Sequence, residues 1–489
     1  MSRVASQTRN PDSNRPTATI RPMWLPVLSA VLGIVAFLPF NLYPAAFAFL
    51  VPLFVFLMRE KKLWRLVLGA IIFRLIFGIG TAYYTLEPIF WSSSLLIFLG
   101  LPIAIFLFKK LMDTTCPSIL PTLIFLPFAW TFFDLAQAQW SLLPTFIITA
   151  GNALGSSPFL GLAGIGGFFA LTFFTALINA LLAALFLLAW QSVKHRVFDT
   201  CVLTLGISVI VLLFSGWQIS QYELRSNASA YAALPNEISF AAISVDGTID
   251  AGQFERIKRE MSDRRVDLIV FPENMFNRHA PSDGAEFRDL ARELRTPVLA
   301  AYATASGTER YKSAVVFGAD GAVAGVHNKN RLTFIGEYWP FGNWRPSFYE
   351  WLRERDPRIG TYAVFTPGNA SLPGERNLLS TAVRGDAVLF AAPICLEIHY
   401  PTDLEAYRAQ GARFIVNQSG NRWISSGLEH FSYLTTNLKK IESVSLQIPI
   451  ISSSVNDFAG VTLPNGESVQ HPVLDTGRGY TVFFGTVRY

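Results

Sequence analysis

A membrane-embedded helical bundle followed by a layered α/β domain is the fold class this sequence predicts. Three observations carry it. Of the 489 residues, 51% are hydrophobic and only 15% charged, where a soluble globular chain carries about 25% charged residues. Apolar stretches of membrane-crossing length are confined to the first 219 residues. Beyond them, apolar runs shorten to strand length and alternate with helix-like stretches. The mean hydropathy of +0.35 excludes a disordered chain, and the length allows about three domain-sized units. We divide the chain into a transmembrane bundle, residues 1–219, and a water-facing domain, residues 220–489.

Crossing about 30 Å of hydrocarbon takes about 20 apolar residues. Segments 24–40, 43–58, 63–83, 89–108, 118–133, one stretch within 159–190, and 201–217 meet or approach that length, predicting about seven spans. Lys and Arg sit before the first span (Arg3, Arg9, Arg15, Arg21), between the second and third (Arg59, Lys61, Lys62, Arg65), after the fourth (Lys109, Lys110) and after the sixth (Lys194, Arg196). The alternate loops 41–42, 84–88 and 134–158 contain neither. Positive charge stays in the cytoplasm, so the N-terminus is expected there and the residues after 219 outside. The first segment lacks a small-residue cleavage site and more spans follow, so it reads as an anchor rather than a removable signal. Arg74, inside the third span, is costly in hydrocarbon and is expected to face the bundle. Trp140 and the apolar stretch 141–149 are expected at the outer interface, where Trp is favoured.

Charge divides along the same line. Residues 1–219 hold 13 Lys/Arg against 6 Asp/Glu, and the remainder 27 against 29. The basic balance therefore belongs to the membrane half, and no nucleic-acid face is implied. Three cysteines make no disulfide framework. Cys116 and Cys201 lie in apolar runs and read as small buried thiols. Cys395 is different, as its neighbours show below.

In the second half, strand candidates are 238–245, 266–271, 297–302, 313–318, 322–327, 387–394, 413–417 and 448–453, each apolar and bounded by turn residues. Helix candidates with charge on one face are 252–264, 283–295, 402–410 and 428–444. Strands alternating with helices predict a sheet covered on its faces.

In such sheets, ligands collect at the carboxyl ends of strands. Three strand ends carry ionisable residues: Pro272-Glu273-Asn274; His327-Asn328-Lys329, leading to Gly336-Glu337-Tyr338; and Ile394-Cys395-Leu396-Glu397. Taken singly, a strand-end Glu is an ordinary turn residue, a lone Lys is ordinary surface, and a thiol after an apolar strand is ordinary packing. Together they supply a base, a cation and a thiol, which is what thiol acyl transfer requires. The thiolate is the nucleophile, and a free thiol with a pKa near 8.5 is mostly protonated at neutral pH. A carboxylate accepts its proton, and an ammonium stabilises the developing oxyanion. The histidines (His195, His279, His327, His399, His430, His471) show no metal-ligand spacing, and no Gly-rich phosphate loop follows a strand. Neither metal nor cofactor is therefore expected, and His399 and His430 read as packed or solvated.

These segments, with the run Lys329-Asn330-Arg331-Leu332-Thr333-Phe334-Ile335-Gly336-Glu337-Tyr338-Trp339-Pro340-Phe341, resemble the nitrilase (carbon–nitrogen hydrolase) superfamily. Joined to a multi-span first half, they resemble its apolipoprotein N-acyltransferase family. The resemblance covers about 240 residues of the second half; the first half matches in span number and orientation. It implies an αββα sandwich over residues 220–489. It implies Glu273 as general base, Lys329 as oxyanion-stabilising cation and Cys395 as nucleophile. Glu337 would hold Lys329, and Glu397 would be the family's acid beyond the nucleophile. Trp339, Trp423 and Trp140 are candidate substrate contacts, with ordinary aromatic packing as the alternative. The implied reaction moves an acyl chain from a phospholipid to the terminal amine of a diacylglyceryl-cysteine in a bacterial apolipoprotein. It runs through a Cys395 thioester at the inner membrane, with the catalytic domain in the periplasm.

The sequence also departs from that family. Leu396 follows the nucleophile where the family usually has Tyr. The segment Gln418-Ser419-Gly420-Asn421-Arg422-Trp423 replaces a Ser-Asn-Asp-x-Trp-Phe pattern, with only Asn417 and Trp423 keeping a correspondence. The chain closes with residues 481–489, too short for the usual final span. Two further readings follow: a membrane-tethered amidase or nitrilase for a small amide or nitrile, and a non-catalytic relative. The intact Glu273, Lys329 and Cys395 set argues against the second.

Overall fold

The computed structural model describes residues 23–37, 42–81, 95–115, 120–140, 146–195, 200–276, 282–333, 337, 372–424, 427–472 and 478–489. Among the described residues, the secondary structure of its first half is helical: α1 (Trp24–Ala36), α2 (Val51–Arg59), α3 (Leu63–Thr81), α4 (Gly100–Thr115), α5 (Leu120–Trp140), α6 (Ala163–His195) and α7 (Thr200–Ala232). Each predicted span overlaps one of them, in whole or in part, within the described residues. Among the described residues, four helices are long and apolar enough to cross a membrane: Leu63–Thr81, Leu95–Met112, Leu160–Trp190 and Thr200–Ala232. Trp24–Ala36 is a shorter apolar helix, as is the Tyr43–Arg59 stretch. With hydrocarbon-facing sides as apolar as their cores, these helices are held together by close packing. Phe77 stacks on Phe73 and Phe49. A Cβ on Gly33 would lie 2.7 Å from the Phe77 ring, so only glycine lets α1 approach α3 this closely.

Arg74 is buried at 2% exposure, as expected of an arginine within a span. Cys201, expected to be buried, is instead exposed at the start of α7; one side of that helix has no protein packed against it. Cys116 and residues 141–145 lie outside the described residues. Phe146–Thr149 is not spread on an open interface. It begins a buried series of 3-10 turns (Phe146–Ile148, Ala150–Leu154, Leu160–Leu162) wedged between α6 and the second half.

Residue 219 falls inside α7, which carries the chain unbroken to Ala232, just before β1 (Glu237–Val245). The order then runs α8 (Ala251–Ser262), β2 (Leu268–Glu273), α9 (Ala285–Leu294), β3 (Val298–Ser306), β4 (Glu309–Phe317), β5 (Val323–Asn328), β6 (Leu379–Val383), β7 (Asp386–Phe390), α10 (Pro401–Ala409), β8 (Ile415–Gly420), α11 (Leu428–Leu446), β9 (Ile450–Val455), β10 (Phe458–Thr462), β11 (Ser468–Pro472) and β12 (Tyr480–Arg488). Ten strands form one sheet in the path β11-β10-β9-β1-β2-β3-β4-β5, with β12 on β1 and β8 on β9, while β6 and β7 pair as a hairpin.

Period-two alternation sorts the side chains into layers. Ile238, Phe240 and Ala242 of β1 face an inner core shared with Phe390, Val416, Ile451 and Phe483. The intervening Ala241, Ile243 and Val245 pack on Ile257, Phe287 and Leu290 of α8 and α9. On the far side, Ile415 and Ile450 pack under Leu404 of α10 and Leu434, Leu438 and Ile441 of α11. Helices, strands, strands and helices thus lie in successive layers, the order the family resemblance implied. The α10–α11 layer shares one continuous apolar core with the membrane helices.

Polar side chains lock that contact. Asn152 Nδ2 donates to the carbonyls of Ile147 (2.7 Å) and Leu434 (3.1 Å), and Asn437 Nδ2 returns a bond to the Asn152 carbonyl (3.2 Å). His430 Nε2 meets the Thr81 carbonyl at the end of α3 (2.8 Å).

Candidate active site

Three strand ends bring the predicted residues together. β2 ends at Glu273, which is 6% exposed. β5 ends at Asn328, and the next residue, Lys329, is 1% exposed. After β7, single parallel bridges from Ala391 to Ile415 and from Ile394 to Gln418 guide the chain along β8 to Cys395. Cys395 takes φ 50°, a left-handed conformation that a side chain rarely adopts. That strain turns the chain sharply and presents the partly buried sulfur at the strand ends.

Lys329 is the hub. Its ammonium lies 2.8 Å from Glu337 Oε1 and 3.9 Å from Glu273 Oε1. Glu337 is fixed in turn, its Oε2 accepting the Thr333 N–H (2.8 Å). Burial alone would discharge Lys329, but Glu337 and Glu273, with Cys395, outweigh it and hold its pKa above the usual lysine value. Burial works on Glu337 too, yet Lys329 and Lys312 keep its carboxyl below the usual range. The site therefore keeps a buried ammonium, a group able to stabilise negative charge on a nearby oxygen.

Gly420, the last residue of β8, lies between the other two groups. Its N–H faces the Cys395 sulfur, and a Cβ built on it would sit 3.2 Å from Glu273 Oε2. A side chain there would press on the carboxylate. Burial pushes the Cys395 thiol up to about 12; Glu273 and Glu337 add to this, while Lys329 and the Gly420 N–H oppose it. These surroundings favour the neutral thiol, so a reaction in which the sulfur acts as nucleophile would need a base to take its proton as the new bond forms. Alkylation of Cys395 by iodoacetamide is expected to be slow at pH 7 and to climb without a plateau to pH 10. A plateau below pH 8 would instead reveal a preformed thiolate.

Glu397 joins the site indirectly. At 2% exposure, its Oε1 accepts the N–H groups of Asn330 (2.7 Å) and Arg331 (3.3 Å). Its Oε2 accepts the Ile394 N–H (2.8 Å) and meets His327 Nε2 (3.1 Å). One carboxylate thus clips the Lys329 loop to the Cys395 turn. Asn417 Nδ2 holds the same turn from behind, donating to the carbonyls of Pro393 (3.1 Å) and Cys395 (3.3 Å).

Of the three tryptophans expected to contact substrate, the structure describes the side chain of Trp140 alone. Trp140 ends α5 with 67% exposure and packs edge-on to Phe132. Trp423 closes the 3-10 turn Asn421–Trp423 after β8, and Trp339 lies outside the described residues. His399 is packed, as read from the sequence: it is 4% exposed, and burial with nearby Lys439 lowers it to about 3, so it stays neutral.

One polar group near the nucleophile carried no signal in the sequence. Lys439 of α11 is 1% exposed, donates to Ser452 Oγ (2.9 Å) and lies 5.0 Å from the Phe458 ring centre. Burial lowers it to about 8, with Asp457 and Cys395 opposing. A lysine on an amphipathic helix ordinarily faces water, so only the packing of α11 against β9 reveals it.

Residues 29–181 match the family model for the apolipoprotein N-acyltransferase N-terminal domain, and residues 242–468 match the carbon–nitrogen hydrolase model. Two spirochaete proteins named apolipoprotein N-acyltransferase 2 are similar to this chain. That of Treponema pallidum is 25% identical over 149 residues, 30% of this chain and 25% of the relative. That of Treponema denticola is 23% identical over 233 residues, 45% of this chain and 42% of the relative. Matched stretches therefore span about a quarter and about two-fifths of the two curated relatives. Among solved structures, Saccharomyces cerevisiae Nit3, of branch 10 of the nitrilase superfamily, covers 52% of this chain and 91% of its own at 15% identity, with a TM-score of 0.37. An amidase from Nesterenkonia sp. covers 53% and 92% at 13% identity, with a TM-score of 0.36.

Proposed function

Because the chain belongs to the carbon–nitrogen hydrolase superfamily, in its apolipoprotein N-acyltransferase branch, we propose that it acylates the terminal amine of diacylated lipoproteins with a chain taken from a phospholipid. One observation carries this reading. A sulfur on a strained turn sits beside Gly420, where a Cβ would crowd Glu273, and within electrostatic reach of the buried Lys329–Glu337 pair, in a domain whose helical layer shares an apolar core with the helices of the first half.

In the first step Glu273 accepts the Cys395 proton as the sulfur attacks the ester carbonyl. Lys329 stabilises the tetrahedral oxyanion. Collapse breaks the ester C–O bond, and the lysophospholipid oxygen leaves with the proton from Glu273, leaving a thioester on Cys395. In the second step the α-amine of a diacylglyceryl-cysteine attacks that thioester and gives its proton to Glu273. The C–S bond then breaks, the proton returns to sulfur, and an amide departs. Excluding water at a lipid-facing mouth favours the amine as acceptor. We assign seven spans, a cytoplasmic N-terminus and an extracytoplasmic catalytic domain from the positive-inside pattern. The setting is then a bacterial inner membrane, with Trp339, Trp423 and Trp140 contacting acyl chains.

The test is expression in cells depleted of their own N-acyltransferase, followed by N-terminal mass spectrometry of a lipoprotein. A third acyl chain is the expected result. Absence of that chain, together with hydrolysis of short amides, would replace this reading with the membrane-tethered amidase.

A further inference from the structure

The departure at residues 418–423 has a structural partner. Arg422 follows β8 and sends its guanidinium behind the catalytic edge of the sheet. Nε and Nη2 donate to the Gly247 carbonyl (3.0 and 2.7 Å), Nη1 to the Asn274 carbonyl (2.9 Å) and Nη2 also to the Met275 carbonyl (3.0 Å). Gly247 belongs to the turn leaving β1, at φ 62°; Asn274 follows Glu273 directly, at φ 53°. Two strand ends are thereby tied to a third by one side chain. The residues on either side of the clamp matter as much. Gly420, two positions before Arg422, faces both the Cys395 sulfur and the Glu273 carboxylate. Gln418 Nε2, on the same strand, donates to the Phe271 carbonyl (2.6 Å), two residues before Glu273.

Glu273 is thus gripped on both sides of its backbone, at Phe271 by Gln418 and at Asn274 and Met275 by Arg422. Backbone bonds already hold the Asn274 N–H to the Ala301 carbonyl (2.7 Å) and the Ile249 N–H to the Met275 carbonyl (3.4 Å), and the Arg422 fork adds a hold on the Asn274 carbonyl. A planar fork of five donors can serve three carbonyls at once, and a lysine ammonium cannot reproduce that geometry. We propose that Arg422 is a positioning residue that sets the general base, its fork fixing the Asn274–Met275 backbone so that the Glu273 carboxylate faces Cys395 across Gly420. This rests on the reading of Glu273 as base. It gives the altered 418–423 segment a task in the same reaction rather than a new substrate.

The test compares Arg422→Ala, Arg422→Lys and Arg422→Gln in the full-length protein. Thioester formation is followed on phosphatidylethanolamine–phosphatidylglycerol vesicles, and turnover with a diacylglyceryl-cysteine peptide. All three variants are expected to lose about tenfold or more in kcat with KM held within about twofold. Loosening the carboxylate also removes part of the charge facing the thiol, so iodoacetamide alkylation of Cys395 shifts to lower pH. Adding Arg422→Ala to Glu273→Gln is expected to produce no further shift, because the effect runs through that carboxylate.

Full activity in Arg422→Lys overturns the proposal, since charge alone would then suffice. So does the same alkylation shift with and without Glu273→Gln, which would mean only easier access. A normal acyl-enzyme burst in Glu273→Gln sinks the base reading itself. A silent Glu273→Gln beside a fully active Arg422→Ala sinks this inference alone.

Discussion

Cys395→Ala and Cys395→Ser are both expected to abolish N-acylation, by about four orders of magnitude or more. Alanine removes the atom that carries the acyl chain. Serine keeps a nucleophile of similar shape, so its failure is the more informative result. A hydroxyl ionises far less readily than a thiol, and the surroundings of Cys395 already oppose negative charge there, through burial and the Glu273 and Glu337 carboxylates. A weaker acid in that place needs more assistance than one carboxylate provides. The check is N-terminal mass spectrometry of a lipoprotein, with a melting curve to establish folding. A third acyl chain in the Cys395→Ser strain above about 1% of wild type would show that a thioester is not obligatory.

Glu273→Gln is expected to block thioester formation, lowering the burst rate by about 10²–10⁴-fold. The amide is nearly isosteric and still fits beside Gly420, so the change removes a proton acceptor rather than a shape. A second readout moves the opposite way. Glu273 is one of the charges that raise the Cys395 pKa, so removing it lowers that pKa and speeds alkylation near neutral pH. Slower catalysis from a more ionised thiol is the signature of a lost general base. A normal burst in this variant, or alkylation that slows in step with catalysis, would remove Glu273 from that role.

The candidate site was legible because its ionisable residues sit where strands stop. Glu273 and Cys395 follow apolar runs, and Lys329 comes just after a shorter one, behind His327 and Asn328; such strand ends are visible without knowing the partner strand. Glu337 needed the resemblance, since nothing local marks a glutamate eight residues beyond a lysine as its holder. β6, β10, β11 and β12 were missed. β6 interleaves Ser, Thr and Ala, and β11 contains His and Pro, so neither shows a clean apolar run. Residues 481–489 were weighed as a span and found too short, yet β12 pairs with β1 over nine residues near the middle of the sheet. Membrane thickness was the wrong ruler for a segment whose neighbour is another strand. Arg422 was legible as a departure but not as a clamp, because the three carbonyls it serves belong to residues 147–175 positions away. Lys439 was invisible for the same kind of reason: burial belongs to two surfaces, and the sequence displays one at a time.

The unbroken 33 residues of α7 have a mechanical consequence. At 1.5 Å per residue such a rod is about 50 Å long, some 20 Å more than the hydrocarbon it is apolar enough to cross. It runs almost directly into β1, with Asn227 Nδ2 hydrogen-bonded to the Val444 carbonyl of α11. In the proposed orientation and reaction, a stiff mast of this kind would fix the height of the Cys395 sulfur above the bilayer. Donor and acceptor would then drift along the membrane to one stationary berth, in turn, and crowding in the leaflet would pace the exchange as much as the chemistry does.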